Sequence, residues 1–159
     1  MKLYILLLTA FLSFSTHLYS NDSNIKIEHL KHDKDMFQAI KKAKTTVNKF
    51  IQLCEEKGEG NYPAIKYTIV DNGRTHMWLL IKEINKDYFE AELFETPPYF
   101  NKYKVGDSFN IKFDEIMDWM IIVDGTLHGG YTTRVIRNKL SEKKKIEMDE
   151  YMGIERYAN

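Results

Sequence analysis

A chain of 159 residues, 43% hydrophobic and 13% aromatic, has material for one packed domain and little room for two. That composition excludes general disorder. Basic and acidic side chains number 23 each, so the positive excess that drives phosphate-backbone binding is missing and nucleic acid is not an expected partner.

The first twenty residues read as a secretory signal peptide. Lys2 precedes the apolar run "LYILLLTAFLSF", and the polar "STHLYS" follows, with Ser20 as a small residue at the exit. The run is shorter than the roughly 20 residues that span a bilayer, so no transmembrane segment is expected in the mature chain. Residues 1–20 hold one Lys and no acid, which leaves 22 basic and 23 acidic side chains in the mature protein. The expected location is periplasmic or secreted. Residues 21–33 form a polar, flexible lead-in, and 34–159 a single α+β domain.

From Asp35 the apolar residues Met36, Ile40, Ala43, Val47, Phe50 and Cys54 recur at spacings of three and four, which predicts one amphipathic helix. Asp33 or Asp35 can cap its start, and "KGEGN" ends it. Cys54 is the chain's only cysteine. It lies on the buried stripe, as a small core residue rather than a reactive thiol, and it excludes both an internal disulfide and a four-thiolate zinc site.

The period then changes to two. "AIKYTIV" alternates Ile65, Tyr67 and Ile69 against Lys66 and Thr68, and "DNG" at 71–73 marks a hairpin. "THMWLLIKEI" is apolar on both faces, as a central strand should be. "YFEAELFE" points Phe89, Ala91 and Leu93 inward. After the stiff loop "TPPYFNKYKVGD", "SFNIKF" does the same with Phe109, Ile111 and Phe113. "DWMIIV" is a deep strand, and the "DG" turn at 124–125 leads to a short return, "TLHGG". A helix from Thr132 and a last helix, "EKKKIEMDEYM", capped by Ser141 and stopped by Gly153, complete the chain. The expected architecture is an N-terminal helix on an antiparallel sheet of five to six strands, strongly twisted or rolled toward a small barrel, with C-terminal helices.

The block "DWMIIVDGTLHGGYTTR", Asp118 to Arg134, holds the densest chemistry. A two-residue turn at 124–125 sets Met120 opposite Gly129 and His128 beside Ile121, and brings Asp118 to the Tyr131 end. Asp118 and Arg134 are then expected to form a structural ion pair or a helix-start contact. Gly129 and Gly130 mark a bulge or a close approach. As a binding surface the block offers Asp118, His128, Gly129, Gly130, Thr133 and Arg134, and the loop adds the aromatics Tyr99 and Phe100. As an enzyme, a hydrolase or transferase, it would use His128 as base, oriented by Asp118 or Asp124. No two histidines stand at a metal-ligand spacing such as H-x-x-x-H within these strands, and the chain has no G-x-S-x-G elbow and no phosphate loop. Catalytic residues, a metal and a cofactor are therefore not assigned.

The segments "MFQAIKKAKTTVNKFIQ", "HMWLLI", "FEAELFETPP" and "VGDSFNIKFDEIMDWMIIVDGTLHGGYTTRV", with the terminal "LSEKKK", resemble the YegJ-like family, bacterial domain of unknown function 2314. The matching positions are His76, Trp78, Asp118, Trp119, Gly125, Gly129, Gly130, Thr133 and Arg134. The resemblance implies a small bacterial domain, exported in several members, and brings no reaction, cofactor or ligand. The combined expectation is a non-enzymatic binding module of the cell envelope that contacts an envelope protein or small ligand. An immunity-like or stress-related protein that binds a toxin is one version of it.

Overall fold

The computed structural model describes residues 33–159. The predicted signal peptide and all of the lead-in except Asp33 lie outside the described residues. Asp33 caps α1 (Lys34–Thr45), its carboxylate accepting from the Asp35 N–H at 2.9 Å. The helix expected to run through Cys54 is broken at Thr46, and α2 (Val47–Lys57) follows.

The break has a tertiary cause. The Trp119 indole N–H donates to the Ala43 carbonyl at 3.1 Å and to Thr46 Oγ1 at 3.0 Å. The Thr46 hydroxyl in turn donates to the Lys42 carbonyl at 2.7 Å. A side chain inserted into the i→i−4 ladder kinks a helix, and this one is inserted from the sheet.

Among the described residues, seven strands form one open sheet: β1 (Ala64–Asp71), β2 (Gly73–Ile84), β3 (Tyr88–Glu92), β4 (Ser108–Lys112), β5 (Asp118–Val123), β6 (Thr126–Gly129) and β7 (Arg156–Tyr157), in the order β4-β3-β2-β1-β5-β6-β7. The α+β expectation holds, with two differences. The sheet does not close toward a barrel, and a short C-terminal β7 pairs parallel with β6. After the β1–β4 meander the chain crosses back, so β5 pairs with β1.

Strand alternation divides the sheet into two faces. Ile65, Leu79, Phe89, Ile111, Trp119 and Ile121 build the main core beneath α1 and α2. Trp119 has no exposure to water. Phe50 of α2 stacks on it at 5.0 Å between ring centroids, and Tyr131 meets it edge-on at 5.6 Å. Cys54 packs against the rim of this core, and burial, then Glu55, pushes its thiol up to about 12. That is an inert thiol at physiological pH.

The opposite face carries Lys66, Trp78, Asp118, Met120, Ile122 and Leu127. Beyond β6 follow α3 (Tyr131–Asn138) and α4 (Glu142–Met152). Ser141 precedes α4 as expected, but its hydroxyl accepts no capping hydrogen bond. A side-chain stack holds this end together. The guanidinium groups of Arg134 and Arg137 both lie over the Tyr157 ring, 5.1 and 4.9 Å from its centre. Arg137 and the Tyr157 hydroxyl both donate to Asp149 of α4.

Gly129 shows how tightly the β5–β6 return is drawn in. At φ +70°, a Cβ on it would lie 2.3 Å from the Trp119 carbonyl oxygen and 2.4 Å from the indole ring. Gly129→Ala is expected to cost about 3 kcal/mol or more, from overpacking added to left-handed backbone strain. Gly153→Ala, at φ +67° in open space, should cost only about 1–2 kcal/mol. Urea unfolding of the two variants checks the difference.

Candidate functional site

Asp118 is fully buried at the start of β5. Its Oδ1 accepts from the N–H groups of Trp119 (2.9 Å) and Tyr131 (3.1 Å), and its Oδ2 from the N–H and the hydroxyl of Thr132, both at 2.7 Å. Tyr131 and Thr132 open α3, and Gly130, at the N-cap position, has no side chain to offer. Asp118 therefore caps α3 from another strand, where a helix N-terminus favours negative charge. Lys66, its direct partner on β1, donates to Thr132 Oγ1 at 3.3 Å and lies 5.4 Å above the Trp78 ring. Burial pushes the Asp118 carboxyl above its ordinary range. The Thr132 hydroxyl, Lys66 and the backbone N–H groups of Thr132 and Trp119 oppose that. Burial likewise lowers Lys66, and Asp118 pulls it back up.

The predicted Asp118–Arg134 ion pair does not form; the helix-start contact does. Arg134 instead donates to three carbonyls, Nε to Gly129 (2.9 Å), Nη1 to Ala158 (2.8 Å) and Nη2 to Leu127 (3.0 Å). It ties the end of β6 to the chain that follows β7. Thr133 is buried, with 2% exposure. Gly130 donates its N–H to the Trp119 carbonyl at 2.7 Å. The block gathers Asp118, Gly129, Gly130, Thr133 and Arg134, but around its own backbone.

The strand register keeps His128 from Asp118. The "DG" turn pairs Met120 with Gly129 and Ile121 with His128, as expected, with Asp124 and Gly125 both at positive φ. His128 thus shares the helix-covered face with Ile121, and Asp118, three residues from Ile121, projects from the other. No hydrogen bond joins His128 to Asp118 or Asp124 among the described residues. Nδ1 of His128 is buried and without a hydrogen-bond partner. Burial, then Lys49 and Arg134, depress its pKa. A base oriented by a carboxylate is not what this imidazole has become.

The loop residues divide. Asp71 Oδ2 accepts from the N–H groups of Asn101 (2.9 Å) and Lys102 (2.8 Å), and Asn72 Nδ2 donates to the Tyr99 carbonyl at 3.2 Å. The loop is thereby pinned to the β1–β2 hairpin. Phe100 and Tyr103 pack on the core, whereas Tyr99 stays 56% exposed. Tyr99 and the His128–Arg134 block are not one surface.

A third feature escaped the sequence. Between β5, the start of β1 and the C-terminal end of α4 lies a cleft of about 270 Å³, lined by Ala64, Phe94, Met120, Ile122 and Met152, with Asp124 and Tyr151 among its polar members. The apolar face of β5 carrying Met120 and Ile122 was its only sequence signal. Among the described residues, no group of three or more His, Cys, Asp or Glu could hold a metal ion.

The family model "Uncharacterized protein conserved in bacteria (DUF2314)" matches residues 33–156. The chain belongs to the DUF2314 family. It is 31% identical over 129 residues to "Uncharacterized protein YegJ" of Escherichia coli strain K12, covering 80% of this chain and 84% of that one. It is also 29% identical over 80 residues to "Putative ankyrin repeat protein NMB1133/NMB1171" of Neisseria meningitidis serogroup B strain MC58, half of this chain and 32% of that protein. No solved structure matches. Of the resemblance positions in this DUF2314 chain, Asp118, Trp119, Gly129, Gly130, Thr133 and Arg134 all fall within the frame around α3.

Asp118→Ala leaves the half-buried Lys66 without its counter-charge and α3 without its cap, and is expected to cost about 3–5 kcal/mol. Lys66→Met, which leaves the four donors to Asp118 in place, should cost less. The double variant should recover part of the Asp118→Ala loss, a coupling that a double-mutant cycle measures.

His128 predicts a pH dependence. Its folded pKa lies below the ordinary 6.5, so on acidification the unfolded chain binds the proton first. Stability should fall as pH drops through about 6.5 and keep falling until the folded imidazole protonates. His128→Phe should remove that component, seen as a flatter urea midpoint between pH 7 and 5.5.

Proposed function

We propose that this DUF2314 domain acts as an exported, non-enzymatic binding module of the bacterial envelope. Support for export is the Lys2–Ser20 pattern of a cation, a short apolar run and a small-residue exit. No helix among the described residues is long and apolar enough to cross a membrane. The observation that carries the binding reading is the contrast across β5. Asp118, Thr132 and Arg134 accept and donate within the fold, while Met120 and Ile122 face an open apolar cleft. Concave, mostly apolar sites with a few polar groups are where ligands are held.

The exposed Tyr99 offers a second contact, suited to a protein partner. Ala64 at the cleft and Asp71 beneath the Tyr99 loop are opposite ends of β1, about 23 Å apart at roughly 3.3 Å per residue. A ligand and a partner could therefore be held independently.

The protein isolated from its own envelope is expected to begin at Asn21 and to carry a co-purifying species, visible by native mass spectrometry. Ile122→Trp, which fills the cleft, should lose a small ligand, and Tyr99→Ala should lose a protein partner. Confinement to the cytoplasm would sink the export reading. Bare protein in every preparation would sink the binding one.

A further inference from the structure

The charge of the cleft narrows the class of ligand. In a chain with as many basic as acidic side chains, no Lys, Arg or His lines it. The charged residue that does is Asp124, exposed at the β5–β6 turn. Its carbonyl accepts from Arg156 Nη2 at 2.7 Å, but no donor among the described residues meets its carboxylate. Arg156 is otherwise engaged, with Thr126 at 3.3 Å and the Glu155 carboxylate at 3.4 Å. The cleft is thus an apolar slot with no cation among its lining residues and one carboxylate, that of the exposed Asp124, at its edge.

The size bounds the occupant. A closed cavity of about 150 Å³ holds benzene, so about 270 Å³ accommodates an arene or branched alkyl group with a short chain.

We propose that the cleft beside β5 binds a small free amine, its apolar body against Met120, Ile122, Phe94 and Met152 and its ammonium group at Asp124. This rests on the binding reading above and adds the ligand's sign and size. The carboxylate selects for charge, and the apolar walls supply most of the affinity. An ammonium at a partly exposed carboxylate gains little in water, so the preference is modest and falls with salt.

Three probes of one shape test it: 4-phenylbutylamine, 4-phenylbutan-1-ol and 4-phenylbutyrate, titrated into the full mature chain labelled with ¹³C at its methionine methyl groups. Met120 and Met152 report from the cleft, assigned through Met120→Leu and Met152→Leu. The amine should shift both resonances and bind about five-fold more tightly than the alcohol and at least ten-fold more tightly than the carboxylate. Asp124→Asn, which tolerates the positive φ of this turn, should bring amine and alcohol within two-fold of each other. Equal binding of all three, or tighter binding of the carboxylate, overturns the amine assignment and leaves the binding reading standing. Failure of every probe to move either methyl group overturns the cleft as a ligand site. Co-purification from the envelope then decides the broader reading separately.

Discussion

A carboxylate without exposure to water stands at the centre of this fold. Taking an ion out of water costs several kcal/mol, and such a group persists only where donors replace the lost hydration. Asp118 receives four donors, three of them backbone or side-chain groups of Tyr131 and Thr132 at the start of α3. The requirement is mutual. Gly130 is needed to turn the chain against Trp119, and a glycine cannot cap the helix it precedes. The cap has to come from elsewhere, and the neighbouring strand end supplies it. Lys66 completes the arrangement through the Thr132 hydroxyl, with Trp78 beneath its ammonium group.

Trp119 performs the same work on the other side of the strand. Its ring fills the core under α2, its carbonyl holds Gly130, and its N–H breaks the first helical segment at Thr46. Two consecutive residues, projecting to opposite faces, thus fix the N-terminal helices and the C-terminal helix α3 to one strand. This explains how a block so rich in polar residues is largely taken up by the fold itself. Asp118, Thr132 and Arg134 spend their hydrogen bonds on the backbone and on one another, and His128, its Nδ1 without a partner, lies on the far face from Asp118.

Period and turn chemistry made much of this legible. The alternation of "AIKYTIV", "YFEAELFE" and "SFNIKF" follows from one buried face. The "DG" turn set the β5–β6 register correctly, down to Met120 opposite Gly129. What stayed hidden depends on contacts distant in sequence. No local signal says that β5 returns to pair with β1, so Lys66 could not be seen opposite Asp118, and Arg134 was the nearest opposite charge to assign. The break at Thr46 is invisible for the same reason, since its cause is an indole 73 residues later. β7, only two residues long, pairs because Arg134 and the stacked Tyr157 hold it there, not because of any strand pattern. The cleft belongs to the same class, being made by three segments far apart in the chain.

That frame also bears on what the cleft can do. One wall is β5, anchored through Asp118 and Trp119. Another is the end of α4, which is tied back through Asp149 to Arg137 on α3 and to Tyr157 on β7. The turn after α4 docks on the hairpin, the Glu155 and Arg156 N–H groups both donating to the Gly125 carbonyl at 2.7 and 3.0 Å. A site whose walls are set before the ligand arrives loses less freedom on binding than one that must be ordered by it. The same connections run the other way. Loosening the cap on α3 frees Arg137, and with it the helix end that bounds the cleft, so residues that never touch a ligand still determine the shape of the space it would enter.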